Sequence, residues 1–267
     1  MDVRLSRRGA TRRGRPEELA LKAPSADQHR LLDVQSLDTH LAQLAHRRAT
    51  LPEHAKLADV SQRQDALRDQ LVVVRTEESD LERELKKAEG DVDQVRARAD
   101  RDQKRLDAGQ VSSPKELESL QHEIATLGNR QGDLEEIVLE IMERLESAQS
   151  RDAELTAQQE AAAAEATELT AARDTATAEI DAEVEQLTAQ RSTQVSGIDD
   201  GLVTLYEKIR AQQGGVGAAE LKQRRCGGCR LELNNVEIGR LRDAPEDDVL
   251  RCEECRRILV RTAESGL

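Results

Sequence analysis

The chain has 267 residues, 35% of them charged, a formal net charge of -13 and an aromatic content that rounds to zero, Tyr206 standing alone. A large globular core draws on Phe, Trp and Tyr for much of its buried area, so this composition excludes one; Leu, Val, Ile and Ala suit a thin helix–helix seam, as in coiled coils. No apolar run approaches the roughly 20 residues that span a bilayer, and no signal-peptide core follows the N-terminal arginines, so no membrane partner is expected.

The charge is unevenly placed. Residues 1–24 carry seven basic and three acidic side chains, 25–217 carry 23 and 40, and 218–267 carry ten of each. An acidic rod repels nucleic acid along its length, because phosphate binding needs clustered Lys and Arg. The basic segment 1–24, with Arg4, Arg7, Arg8, Arg12, Arg13 and Arg15, reads as a disordered tail, or as translated leader upstream of the true start. It could also serve as a basic arm for nucleic acid or an anionic surface.

From residue 25 the pattern becomes helical. Ser25 or Asp27 can cap a helix carrying Leu31, Val34, Leu37, Leu41 and Leu44 on one face. Pro52 forces a break near Thr50, since an internal proline removes a hydrogen bond and clashes with the turn before it; Thr50 can cap the restart. Steps of three and four then pick out Leu57, Val60, Leu67, Leu71, Val74, Leu81, Leu85, Ala88, Val92, Val95 and Leu106, a sustained heptad seam. Gly109 can take the left-handed conformation that ends a helix. Ser113-Pro114-Lys115-Glu116 opens the next one as a capping box with proline at the first position.

The second seam runs through Leu117, Leu120, Ile124, Leu127, Leu134, Val138, Ile141, Leu145 and Ala148, then more weakly through Ile180 and Leu187 to Ile198, Leu202, Leu205 and Ile209. Two seams joined by a short turn make an antiparallel hairpin over 25–213, turning at about 107–114. The first arm spans roughly 75 Å and the second, if continuous to Arg210, roughly 140 Å, so the 31–44 segment is expected to pack on the second arm's surplus length. The alanines from Ala157 to Ala172 either admit another helix closely or simply favour helix over a weak seam. At the hairpin tip, capping accounts for Ser113, Pro114 and Glu116; Val111 and Lys115 are left as candidate contact residues.

Gly214-Gly215-Val216-Gly217 breaks the helix as a hinge or tight turn. The remaining 214–267 is too small to hold a core without a staple. The staple is Cys226-Gly-Gly-Cys229 and Cys252-Glu-Glu-Cys255, which hold all four cysteines of the chain. Two such pairs gather four thiolates tetrahedrally around one metal ion, with Zn2+ favoured over a rubredoxin-like iron or a dithiol redox pair. Four sulfur ligands leave no open position for water, so the zinc is structural. Gly227 and Gly228 would let backbone N–H groups turn toward the sulfurs. Strands are expected at 231–233, 236–238, 249–250 and 258–260. Metal-spaced thiols without a secretion signal fit a reducing cytoplasm.

Arg224, Arg225 and Arg230 flank the first knuckle, and Arg256, Arg257 and Arg261 the second. They could form a patch for phosphates or an acidic protein, away from Asp243–Asp248, or compensate the -2 centre locally. Without aromatics the ribbon cannot stack unpaired bases.

Tyr206-Glu-Lys-Ile-Arg210, Gly214-Gly-Val-Gly217, Cys226-Gly-Gly-Cys229-Arg-Leu and Cys252-Glu-Glu-Cys255-Arg-Arg-Ile-Leu259, with the tip Val111-Ser-Ser-Pro-Lys-Glu-Leu117 and Leu120-Gln-His-Glu-Ile124, resemble the bacterial C4-type zinc-ribbon proteins with a coiled-coil hairpin. The resemblance covers about 23–260. It implies a mainly α fold, a long antiparallel coiled-coil hairpin with a small β zinc ribbon. It also implies either nucleic-acid binding or a regulatory or chaperone-like scaffold role around secretion and flagellar systems. No residue of this chain itself points to such an apparatus.

The reading is a non-enzymatic adaptor that binds partner proteins through hairpin and ribbon. The alternative is a nucleic-acid-binding regulator using the ribbon arginines. His29, His40, His46, His54 and His122 lie away from the cysteines, no phosphate loop or nucleophile elbow occurs, and a thin hairpin offers no deep pocket for a small-molecule substrate. The sequence does not choose between monomer and homodimer.

Overall fold

A computed structural model describes residues 21–267; most of the basic N-terminal segment lies outside them. Four helices come first: α1 (Ser25–Ala49), α2 (Pro52–Asp107), α3 (Pro114–Val195) and α4 (Asp200–Gln212). Strands β1 (Ala218–Lys222) and β2 (Arg225–Cys226), helix α5 (Asn235–Asp243) and strand β3 (Ile258–Arg261) follow. The described residues divide into two compact units, Pro52–Asp174 and the other described residues, 21–51 with 175–267.

In the Pro52–Asp174 unit, α2 and α3 pack antiparallel. Leu81, Leu85 and Ala88 meet Val138, Ile141, Leu145 and Ala148 in one apolar cluster, all at seam positions. Arg75–Asp152, Arg151–Glu77 and Arg96–Glu135 pair across it at 2.8–3.2 Å. Ala162 is buried while Ala161, Ala163 and Ala164 are exposed, so the alanine stretch keeps a seam member. At the turn, Gly109 has φ 65°, and the Gln110 N–H reaches back to the Arg105 carbonyl, the 6→1 bond of a Schellman ending. Ser113 Oγ accepts from the Glu116 N–H as expected, but the Glu116 carboxylate accepts from the Ser112 N–H, one residue earlier than a strict capping box.

In the other unit, α1 packs on the C-terminal part of α3. Leu37, Leu41, Leu44 and Leu51 meet Ala176, Ile180, Val184 and Leu187, as the surplus length of the second arm requires. Neither Ser25 nor Asp27 caps α1: Pro24 holds the N-cap position, without a side-chain cap. Thr50 ends α1, its hydroxyl donating to the His46 carbonyl, and Pro52 itself opens α2. The second arm is not continuous to Arg210. It stops at Val195, and Asp199 caps α4 by accepting from the Leu202 N–H at 3.0 Å.

The sheet has the order β2-β1-β3, β1 pairing antiparallel with β2 and parallel with β3. Only β3 matches an expected strand; the central strand β1, Ala-Ala-Glu-Leu-Lys, carries no strand signal in its sequence. Neither 231–233 nor 249–250 forms a strand: Glu232 makes one isolated bridge, with Arg225, and Val249 and Leu250 make single backbone bonds. Residues 236–238 are helical, because Asn234 caps α5 through the Glu237 N–H and Ile238 and Leu241, three apart, share its buried face. The ribbon is not separable at 214: Leu31, Val34, Leu202, Tyr206, Ile209, Ala218, Ile258 and Val260 form one core. Residues 21–24, expected in the tail, are fastened to the ribbon, with Ala23 N–H donating to the Asp247 carbonyl and Val249 N–H to that of Leu21.

Candidate metal centre and its supports

The four cysteine sulfurs lie within 4.8 Å of one another, with Cys226–Cys255 at 3.8 Å and Cys229–Cys252 at 3.9 Å. A tetrahedral zinc with sulfurs at about 2.3 Å sets sulfur–sulfur separations of about 3.8 Å, so the residues fit one Zn2+.

The two knuckles share a backbone plan. In each, the first cysteine carbonyl accepts from the arginine N–H four residues on, Arg230 at 2.7 Å and Arg256 at 2.9 Å. Both arginines take the left-handed conformation, φ 64° and 62°. Burial pushes the Cys226 thiol up to about 11, partly offset by the N–H groups of Cys229 and Gly228. Burial likewise raises Cys252, against the N–H groups of Cys255 and Glu254. Burial also opposes ionisation of Cys255, but Arg257, through its backbone and side chain, and the neighbouring thiols outweigh it and hold this group below its ordinary value.

Amide donation to sulfur therefore does not require glycine, since the Glu253-Glu254 knuckle achieves it too. Gly228 is needed for another reason: a Cβ there would lie 2.6 Å from Cδ of Arg257. Arg257 is a strut, donating to the carbonyls of Val216 at 3.0 Å and Gln213 at 2.8 Å. It ties the second knuckle to the end of α4.

The six candidate arginines do not form one free patch. Arg261 donates to the carbonyls of Leu241, Ala244 and Pro245, closing the end of α5 and bringing it to the acidic turn rather than away from it. Arg224 is bonded to Asn235 and Arg225 pairs with Glu232 at 3.4 Å. Arg230 and Arg256 make no ion pair among the described residues. Arg256 joins Arg240 and Arg251, neither singled out from sequence, around a groove of about 910 Å3 that also contains Asp248 and Glu253. At the hairpin tip Val111 is half-buried and Lys115 exposed.

A buried polar cluster supports the ribbon from below. Asp38, its side chain 1% exposed, accepts from Arg191 at 2.7 and 3.1 Å and from the Tyr206 hydroxyl at 2.7 Å. Arg191 also pairs with Glu207. Gln35 accepts from the Gly217 N–H at 2.7 Å and donates to the Gly215 carbonyl at 3.1 Å. A Cβ on Gly217 would sit 2.7 Å from the Tyr206 ring. With Arg257 on its other side, the glycine turn is a clamped junction, not a hinge. The signal for this cluster lay in Gln35 and Asp38, each four residues beyond an apolar position of the α1 stripe (Leu31, Val34), and in the lone tyrosine.

Among the described residues no helix is long and apolar enough to cross a membrane. A model of the CT398-like coiled coil hairpin domain matches residues 34–214, and one of the C4-type zinc ribbon domain matches 225–259. An uncharacterized protein of Mycobacterium tuberculosis is 39% identical over 241 residues, 90% of this chain and 98% of that protein. A solved Mycobacterium smegmatis structure, also 39% identical, superposes with a TM-score of 0.79 over 90% of this chain and 100% of that one. The structure of CT398 from Chlamydia trachomatis, 18% identical, shares the fold at a TM-score of 0.65 over 89% and 98%.

Proposed function

The chain belongs to the CT398-like coiled-coil hairpin family with a C4-type zinc ribbon, and on that footing we propose that it is a non-enzymatic, cytoplasmic adaptor binding partner proteins through hairpin and ribbon. The observation that carries this reading is where apolar side chains remain exposed. Val72 and Val73 on α2 and Ile137, Leu139 and Met142 on α3 are 43–66% exposed, outside the seam that the two helices bury. The ribbon supports the same reading from the opposite side, because four of its six candidate arginines are committed to internal partners.

Pull-down with the zinc-loaded chain, with and without nuclease and beside a Cys226→Ser/Cys252→Ser variant, tests it. A discrete protein retained after nuclease supports the adaptor; recovery of nucleic acid alone removes it. The second reading, a nucleic-acid-binding regulator, draws on the groove lined by Arg240, Arg251 and Arg256. It requires binding that weakens steeply with salt and is lost when Arg251 and Arg256 become Ala.

A further inference from the structure

The chain's negative charge is concentrated in one belt of the coiled coil. Residues 77–95 of α2 carry eight acidic and three basic side chains, and 133–146 of α3 six and one, a net of -10 out of -13. These two stretches face each other across the seam. Some of the acids are spent internally: Glu77 on Arg151, Glu135 on Arg96, Glu84 on Arg144 and Asp80 on Arg83. Glu136, Glu140, Glu143 and Glu146 are exposed and make no ion pair among the described residues.

The same belt exposes Leu139 at 60% and Met142 at 49%. On a helix, residues three and four apart are surface neighbours. Leu139 therefore lies between Glu135 and Glu143, and beside Met142, which in turn neighbours Glu146. This is an apolar stripe rimmed by carboxylates on the flank of α3, turned away from the buried positions Leu134, Ile141 and Ala148.

We propose that this flank is the docking surface for a cationic amphipathic helix of a partner protein; the proposal rests on the adaptor reading and names the partner's chemistry. The apolar face of such a helix packs along α3 over Leu139 and Met142, helix against helix, while its Lys and Arg meet Glu143, Glu146 and their neighbours. Charge complementarity selects this occupant. A second copy of the same belt would set -10 against -10, and nucleic acid or an anionic bilayer would be repelled.

The test uses the zinc-loaded full chain and a synthetic 21-residue helix with leucines on one face and lysines and arginines on the other. A scrambled peptide of identical composition is the control, and binding is read by calorimetry at low and physiological salt. The helix is expected to bind at least tenfold more tightly than the scrambled peptide. Leu139→Ser/Met142→Ser should cost at least tenfold. The quadruple Gln variant of Glu136, Glu140, Glu143 and Glu146 should flatten the salt dependence. All of these positions are exposed, so unchanged circular dichroism melts verify the fold. Equal binding of the two peptides, or a loss no larger than that caused by Val72→Ser/Val73→Ser outside the belt, overturns the proposal. If the Ser variant still captures its protein partner from lysate while binding the helix as the parent does, the adaptor reading stands and this surface does not.

Discussion

The two units of the chain solve the same problem, holding helices together without aromatic residues, by different chemistry. Between Pro52 and Asp174 the solution is repetition: Leu81 and Ala88 on α2, and Ile141 and Ala148 on α3, stand seven residues apart and fill like places in one seam. The other unit adds to a short leucine seam between α1 and α3 a junction whose parts are singular. Tyr206, Asp38, Gln35, Arg191 and Arg257 each do something no neighbour repeats, and four thiols close one metal site. A repetitive seam spreads the effect of any single change. A singular junction concentrates it.

The largest test of that difference is metal removal. A structural zinc contributes on the order of 10 kcal/mol to folding, and here the ribbon strands share a core with α1 and α4. Chelation, or Cys226→Ser, is expected to abolish protection of β1 and β3 amides in hydrogen exchange and to loosen α4. The amides of residues 52–174 should keep theirs. Because protons compete for the thiolates, the metal should be lost more readily as pH falls.

Next comes Asp38→Ala. Removing one partner of a buried pair leaves the other charge uncompensated, at a cost of about 3–5 kcal/mol; Arg191 keeps Glu207 and some solvent, so the lower end is expected. Denaturant unfolding followed on Tyr206 fluorescence measures it. A single seam deletion, Leu81→Ala, should cost about 3 kcal/mol and act on the Pro52–Asp174 unit, with the ribbon's metal affinity unchanged. Tyr206→Phe is milder, about 1–2 kcal/mol for the lost bond to Asp38. It carries a pH signature: burial, then Asp38, raise the folded phenol above its ordinary value. The parent should therefore lose stability as pH climbs past about 10, where the unfolded tyrosine ionises, and the Phe variant should lack that component.

What the sequence disclosed follows the same division. The seams and the ligand set Cys226, Cys229, Cys252 and Cys255 are legible because a period or a spacing repeats, and the break at Pro52 and the turn at Gly109 because their backbones permit little else. Strand β1 is invisible to that logic, since Ala218–Lys222 has no strong strand formers and is defined by partners as distant as Ile258. Residues 236–238 of α5 resemble a strand in sequence because a nine-residue helix offers too few turns for its period to stand out. The roles of Arg257 and Arg261 were hidden for a different reason. A cation beside a metal site looks the same in sequence whether it faces solvent or backbone carbonyls, and only the fold supplies the carbonyls.

The smallest effect is the sharpest comparison, because it sets one chemistry in both regions. Arg151 pairs with Glu77 at 2.8 Å with side chains 47% and 39% exposed; Arg191 pairs with Asp38 at 2.7 Å with side chains 21% and 1% exposed. The distances barely differ, so geometry alone would rank the pairs equally. Solvent separates them. Water screens the outer pair and rehydrates whichever partner survives a mutation, so Arg151→Ala should cost no more than about 0.5 kcal/mol and fade in high salt. Water does not reach Asp38, so its pairing should persist in salt. A double-mutant cycle on each pair, at low and high ionic strength, should give coupling that collapses for Arg151–Glu77 and survives for Arg191–Asp38. Equal salt sensitivity would mean that the junction is wetter than its burial implies.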